Sequence, residues 1–506
     1  MRIGKLARSR RAVTAAAAAA LVGLTGAACS PAADGDTASD RFTGQQVSWR
    51  GCDDERLDKA GAQCADITVP LDYAAPQGET MTVAISRIPA TDPAQRRGIM
   101  LSNSGGPGGP GLDFMIDISG AMTPDVRARY DLIGMDPRGV GRSTPVNCDW
   151  PRGFGLQSAG PDAASYAETV ATQADLAARC AATEGDRLRH ITTRNTARDM
   201  DLIRTLLGAE RTSYFGTSYG TYLGAVYLQM FPERADRFVL DSAVDPARYG
   251  AVQMLQDMGP ANEAATDAWA DWTAARDGEY HLGATREAVR ATVSDLVRRA
   301  GERPIRFGEF DLTEHEVPLL LFTTLDDPRN YATAAGQIRL LADAAAGRAV
   351  ELDPELTKSL DFLLRAEPQD NSAQMAIMCG DVAVNRDPDW YWRNIEAARA
   401  TQPLYADFAN NITPCAFWPE PAEPATVVNN AVPALIVQST GDTRTTYANA
   451  QGMRRALTGS RLVTLENVAI HHIFGRYPNA CVYDAVNAYF RDGTLPESDY
   501  SCRDDS

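Results

Sequence analysis

Tyr214-Phe215-Gly216-Thr217-Ser218-Tyr219-Gly220-Thr221 lies between a β-prone run, Arg211 to Phe215, and a helix-compatible run, Thr221 to Met230. Its centre reads Gly-x-Ser-x-Gly, the pattern of a nucleophile elbow. A serine on so sharp a strand-to-helix turn has a strained backbone, and its hydroxyl is pushed up to the edge of the sheet. Side chains two residues to either side would collide there, so Gly216 and Gly220 answer a steric demand. The helix that follows aims its N-terminus at the site and favours negative charge developing there.

A serine hydroxyl is a weak nucleophile near neutral pH. It needs an adjacent base, and the base needs an acid to orient it. The chain has five histidines: His190, His281, His315, His471 and His472. The order Ser…Asp…His that goes with this elbow requires a histidine after the last strand. Only His471 and His472 lie that late. The acid is expected after the preceding strand, where Ser439-Thr440-Gly441-Asp442-Thr443 places Asp442; Asp241, after an earlier strand, is the alternative. Upstream, Gly98 to Leu101 reads as a buried strand running into Ser102-Asn103-Ser104-Gly105-Gly106-Pro107-Gly108-Gly109-Pro110-Gly111. Backbone N–H groups in so glycine-dense a loop approach a ligand closely. The N–H groups of Gly105, Gly106 and Tyr219 are the expected oxyanion donors. A phosphate cradle is the rival reading of the loop, but it lacks both G-K-[ST] and a dinucleotide G-x-G-x-x-G context.

Along the chain, strand-like runs (Cys64–Tyr73, Thr80–Ile88, Tyr130–Met135, Arg237–Leu240) alternate with helical ones (Ala163–Cys180, Thr196–Leu207). That alternation argues for a parallel sheet. From about Arg248 to Thr426 helical periodicity dominates (Asp257–Ala275, Thr285–Ala300, Asn330–Ala346, Pro354–Arg365). Aromatic-rich turns are expected there around Trp390-Tyr391-Trp392 and Phe417-Trp418. Strand pattern then returns at Pro433–Gln438 and Arg461–Leu465, before a last helix at Asn479–Arg491. The fold class is therefore α/β: an α/β-hydrolase with a mostly parallel central sheet and an inserted helical lid. The expected division is a signal at 1–28, a flexible tether at 29–45, core at 46–247, lid at 248–429 and returning core at 430–506.

Arg2, Lys5, Arg8, Arg10 and Arg11 precede a short apolar run, Ala12 to Ala28, which predicts an export signal. Leu24-Thr25-Gly26-Ala27-Ala28-Cys29 resembles a bacterial lipobox, with Gly26 where that motif usually carries an aliphatic residue. Lipidation at Cys29 would leave eight of the nine cysteines, an even set for an oxidising compartment. By loop economy the pairs are Cys52–Cys64, Cys148–Cys180, Cys379–Cys415 and Cys481–Cys502. None shows a C-x-x-C spacing, and neither metal nor cofactor is expected. At 44% hydrophobic and 23% charged, the chain of 506 residues has an ordinary globular composition. Removing a signal that holds five of the 49 basic residues leaves 44 against 66 acids, a net charge of −22. So acidic a chain argues against nucleic acid as a partner. Membrane association is expected only through the lipid.

The chain resembles the secreted actinobacterial tripeptidyl aminopeptidases and mycelium-associated serine peptidases of the prolyl-aminopeptidase-like α/β-hydrolases. The resemblance runs from about Cys64 to Cys502. It rests on Asn103 to Gly108, Asp136-Pro137-Arg138-Gly139-Val140-Gly141-Arg142-Ser143, Gly216 to Gly220, and the ending Asn479-Ala480-Cys481 to Gly493-Thr494-Leu495-Pro496. It implies a Ser218–His471–Asp442 triad, with His472 the other reading of the base. The family usually has Gly-His-Gly where this chain has Ile470-His471-His472. It has prolines where Thr443-Arg444-Thr445-Thr446 follows the acid. An aminopeptidase also needs a carboxylate for the substrate ammonium; Asp381 is one candidate, and Asp326 and Asp327 are the others. The implied activity is release of short peptides from free N-termini. A carboxylesterase, or a non-catalytic binding protein on the same scaffold, is the alternative.

Overall fold

The computed structural model of the chain describes residues 41–365 and 371–504. The expected signal, Cys29 and the tether up to residue 40 lie outside these residues. Eleven strands are found among them: β1 (Gln63–Pro70), β2 (Thr80–Ile88), β3 (Gly98–Asn103), β4 (Tyr130–Met135), β5 (Thr212–Thr217), β6 (Ala235–Asp241), β7 (Ile305–Phe307), β8 (Phe310–Leu312), β9 (Leu435–Ser439), β10 (Arg461–Glu466) and β11 (Tyr500–Arg503). Nine form one sheet in the order β1-β2-β4-β3-β5-β6-β9-β10-β11, and β7 pairs with β8. The pairs β1–β2 and β2–β4 are antiparallel, and every other pair in the large sheet is parallel. Strands β4, β5 and β9 are buried at every residue, as a sheet covered by helices on both faces requires. At the edge, β1 alternates between buried and exposed positions instead.

The topology gathers the chemistry at one edge. The glycine loop, Ser218, Asp241, Asp442 and His471 all lie at or just past the carboxyl ends of parallel strands (β3, β5, β6, β9 and β10), where open α/β sheets bind their ligands. Register places Asn103 opposite Gly216, and Asp241 between Thr217 and Val437.

Among the described residues between β6 and β9, no strand joins the large sheet. The segment is built of helices, among them Gln253–Ala274, Arg286–Glu302, Val317–Thr324, Tyr331–Ala345 and Ser372–Asp381, with the β7–β8 hairpin. Three details differ from the sequence reading. Residues expected to form an aromatic-rich turn form the helix Pro388–Ala398: Asp387 caps it, Pro388 sits in its first turn, and Tyr391 and Ile395 bury one face. Residues 41–45, expected in the tether, are part of the fold. Phe42 is 5% exposed within the main core, and Gln45 exchanges two hydrogen bonds with the backbone of Thr68. Finally, helix Ala163–Glu184 packs against the inserted segment. Tyr166 donates to the Pro388 carbonyl at 2.7 Å, Ser165 to Glu314 at 2.8 Å, and His315 Nδ1 lies 2.8 Å from the Ser158 carbonyl.

All four disulfides join the expected partners: Cys52–Cys64, Cys148–Cys180, Cys379–Cys415 and Cys481–Cys502. The last of these brings in β11, a strand too short to register as a pattern. No helix among the described residues is long and apolar enough to cross a membrane.

Candidate active site

Strand β5 delivers Ser218 at φ 57°, ψ −127°, and helix Tyr219–Met230 starts at the next residue. A non-glycine residue held there costs about 1–3 kcal/mol, which the surrounding packing must offset. The packing is close. A Cβ on Gly216 would stand 2.5 Å from the Gly220 carbonyl oxygen, and one on Gly220 2.5 Å from that of Asn103. The Ser218 N–H donates to the Asp241 carbonyl at 3.1 Å, and the Ser218 carbonyl accepts from Thr221 N–H and Oγ1. Beneath the turn, the Tyr214 hydroxyl donates to the Gly220 carbonyl at 2.7 Å.

The glycine loop presses on this turn. A Cβ on Gly105 would lie 2.7 Å from the Thr217 carbonyl oxygen and 2.8 Å from Ser218 Cβ, and its φ is +95°. The Gly105 N–H donates to Asn103 Oδ1 at 3.0 Å, which commits one of the three expected oxyanion donors. The N–H groups of Gly106 and Tyr219 are the other two.

Asp442 and His471 meet as a pair. His471 Nδ1 lies 3.0 and 2.9 Å from the two Asp442 oxygens. Oδ1 also accepts from the N–H groups of Arg444 and Thr445, and Oδ2 from Gln438 Nε2 and Thr445 Oγ1. Burial alone would raise this carboxyl; the His471 imidazole and these donors hold it below its ordinary value. His472 is placed differently. At φ +69°, its ring lies near Phe114 and Phe215, its Nε2 is 2.8 Å from the Phe474 carbonyl, and burial pushes it down to about 4. Asp241, the alternative acid, binds no histidine side chain: its carboxylate accepts the N–H groups of Ile473 and Phe474.

The three carboxylates considered for the substrate ammonium differ in their surroundings. Asp381 is 7% exposed and accepts from Thr193 N–H, Thr193 Oγ1 and the Tyr249 hydroxyl at 2.8, 2.5 and 3.0 Å. A substrate ammonium would have to displace one of these donors. Asp326 accepts the His471 N–H on its carbonyl and pairs with Arg476 through its carboxylate. Asp327 caps the turn Pro328–Asn330 and pairs with Arg329.

Arg444 was missed as a structural link. Its guanidinium lies 3.5 Å from the Phe322 ring centroid and donates to Asn262 Oδ1 and the Phe322 carbonyl, so the Asp442 loop grips two helices of the inserted segment. The only hint in the sequence is an arginine where the resemblance expects the proline-bearing stretch.

A family model described as alpha/beta hydrolase fold matches residues 99–295, and one described as TAP-like protein matches 402–502. The chain is 34% identical over 476 residues to the tripeptidyl aminopeptidase of Streptomyces lividans, covering 90% of this chain and 86% of that protein. It is 29% identical over 488 residues to serine protease Hip1 of Mycobacterium tuberculosis, covering 91% of each. Carboxylesterase B of the same species is 31% identical over 516 residues, covering 95% and 94%. The chain therefore belongs to the tripeptidyl-aminopeptidase-like family of α/β-hydrolases, and it is a serine hydrolase.

Proposed function

We propose that this protein is an exported serine exopeptidase that releases short peptides, tripeptides foremost, from free N-termini. The observation that carries the reading is the His471–Asp442 pair standing at the same sheet edge as Ser218, in a chain 34% identical to a tripeptidyl aminopeptidase. Asp442 accepts from Nδ1–H, which leaves Nε2 bare to take the serine proton. Ser218 Oγ attacks the scissile carbonyl while His471 removes that proton. Negative charge gathers on the carbonyl oxygen, facing the N–H groups of Tyr219 and Gly106. His471 then passes its proton to the leaving amine, and water hydrolyses the acyl-enzyme by the same route. The inserted helices act as a lid that limits how many residues extend past Ser218.

Export is supported by the basic and apolar N-terminal stretch together with the four disulfides. Lipid attachment at Cys29 would hold the enzyme on the outer face of the membrane; Cys29→Ser would then release it to the medium, and continued membrane association would refute the anchor. The second reading is a carboxylesterase, favoured by the 31% identity to carboxylesterase B. One assay separates the readings: a tripeptide chromogen, its N-blocked form and a short-chain ester, each with Ser218→Ala as control. Free tripeptide is expected to turn over well above the others. Equal cleavage of the blocked peptide refutes the aminopeptidase, preference for the ester makes it an esterase, and no turnover of any leaves a binding protein.

A further inference from the structure

Asp241 ends β6 and Ser242 follows it, between the nucleophile turn and the histidine loop, and no step of the mechanism above uses them. The Asp241 carbonyl accepts the Ser218 N–H at 3.1 Å. Its carboxylate accepts from Ile473 N–H at 3.0 Å and from Phe474 N–H at 2.7 Å. Ser242, at φ +60°, accepts the His472 N–H on Oγ at 2.8 Å, and its own N–H donates to the Val437 carbonyl of β9. Three consecutive N–H groups directly after His471 are therefore held by two consecutive residues, one of which also holds the backbone of Ser218. Both are fully buried.

We propose that the Asp241–Ser242 turn is a positioning clamp that sets the place of the His471 imidazole relative to Ser218 Oγ. Neither residue touches substrate; they act through the two that do. The proposal rests on Ser218 and His471 being nucleophile and base, and is independent of which acyl substrate is cleaved. Serine and imidazole sit on separate loops, and a displacement of about 1 Å between reacting groups costs on the order of 100-fold. One residue spanning both loops, its carbonyl on the Ser218 N–H and its carboxylate on the N–H groups of Ile473 and Phe474, removes that freedom. Only its hydrogen-bond acceptors are needed: in Asp241→Asn the amide oxygen can take both N–H groups, and the amide nitrogen can donate to Ser242 Oγ.

The test uses the mature chain and two readouts: kcat and KM on whichever chromogen the wild type cleaves best, and the rate of Ser218 labelling by a fluorophosphonate. Labelling reports the serine's reactivity whatever the peptide preference, so a wrong aminopeptidase assignment leaves it readable. Asp241→Ala is expected to lower kcat and labelling together by about 100-fold, with KM within about threefold. Asp241→Asn should recover kcat to within about tenfold of wild type. Where Asp241→Ala fails to fold, Ser242→Ala carries the test, with kcat about tenfold lower at unchanged KM. The clamp is overturned if kcat is unchanged in whichever of the two folds, if KM alone moves, or if Asp241→Asn is as impaired as Asp241→Ala. A wild-type chain that takes no label overturns the nucleophile assignment and the clamp with it.

Discussion

Asp442→Asn is close to isosteric, and the donors around the carboxylate dictate what it does. Oδ1 faces two backbone N–H groups, from Arg444 and Thr445, which cannot turn away. The amide oxygen must therefore occupy that side, and the amide nitrogen the place of Oδ2. From there it points a hydrogen at His471 Nδ1, 2.9 Å from the present Oδ2. The imidazole answers by moving its own proton to Nε2, so the atom that should receive the serine proton already carries one. The side chain stays in place but holds the wrong tautomer. The expected loss in kcat is about 10⁴-fold, a barrier rise of about 5.5 kcal/mol, with KM within a few-fold. Steady-state kinetics on the best chromogen measures it, and the labelling rate should fall in parallel. A loss of less than tenfold, or a loss confined to KM, would refute the orientation argument.

Three further outcomes follow from the geometry. Gly105→Ala puts a methyl 2.8 Å from Ser218 Cβ at a φ of +95°, so kcat should fall about 10²–10³-fold; activity within threefold of wild type would show that the loop does not need this close approach. Burial holds the Asp381 carboxyl at about 7, above its unfolded value of 3.8, so its contribution to stability is present in acid and lost as pH rises from about 4 to 7. Asparagine does not titrate: relative to wild type, Asp381→Asn should gain on the order of 2–3 kcal/mol between pH 5 and pH 8 in denaturant unfolding, a flat difference would refute this, and a KM rise confined to free-amine peptides would mark Asp381 as the ammonium site. Replacing Cys379 and Cys415 together by serine removes a link across 36 residues and should cost about 4 kcal/mol; an unchanged denaturation midpoint would mean the cover is held by packing alone.

The elbow, the glycine loop and the parallel sheet were legible because each answers a local demand: glycines where side chains collide, apolar runs where helices cover both faces. The choice between His471 and His472 was not local. Adjacent residues point to opposite sides, and which one faces Asp442 depends on the register of a loop fastened to β6 and β9, fixed by contacts more than 200 residues away in sequence, such as Asp241 to Ile473. The same holds for helix Ala163–Glu184. Its periodicity declares an apolar face, but not that inserted helices far downstream would cover it.

Asp241 and Asp442 differ in their surroundings more than in their position. Asp241 ends β6 and Asp442 lies just past the neighbouring parallel β9, both are fully buried, and burial raises both. Asp442 gains an imidazole against its oxygens and four further donors, and ends below its ordinary value. Asp241 has two backbone N–H groups and the weak Ser242 contact; the His471 imidazole only reaches it at longer range while the Asp442 charge opposes it, and it ends at about 7. An anion with a full set of donors can stabilise an imidazolium as it forms. A carboxyl poised near neutrality cannot hold a steady charge for that purpose, yet it accepts hydrogen bonds from the backbone in either state. In the proposed mechanism charge stabilisation therefore falls to Asp442 and loop placement to Asp241, and the division follows from what each carboxylate has around it.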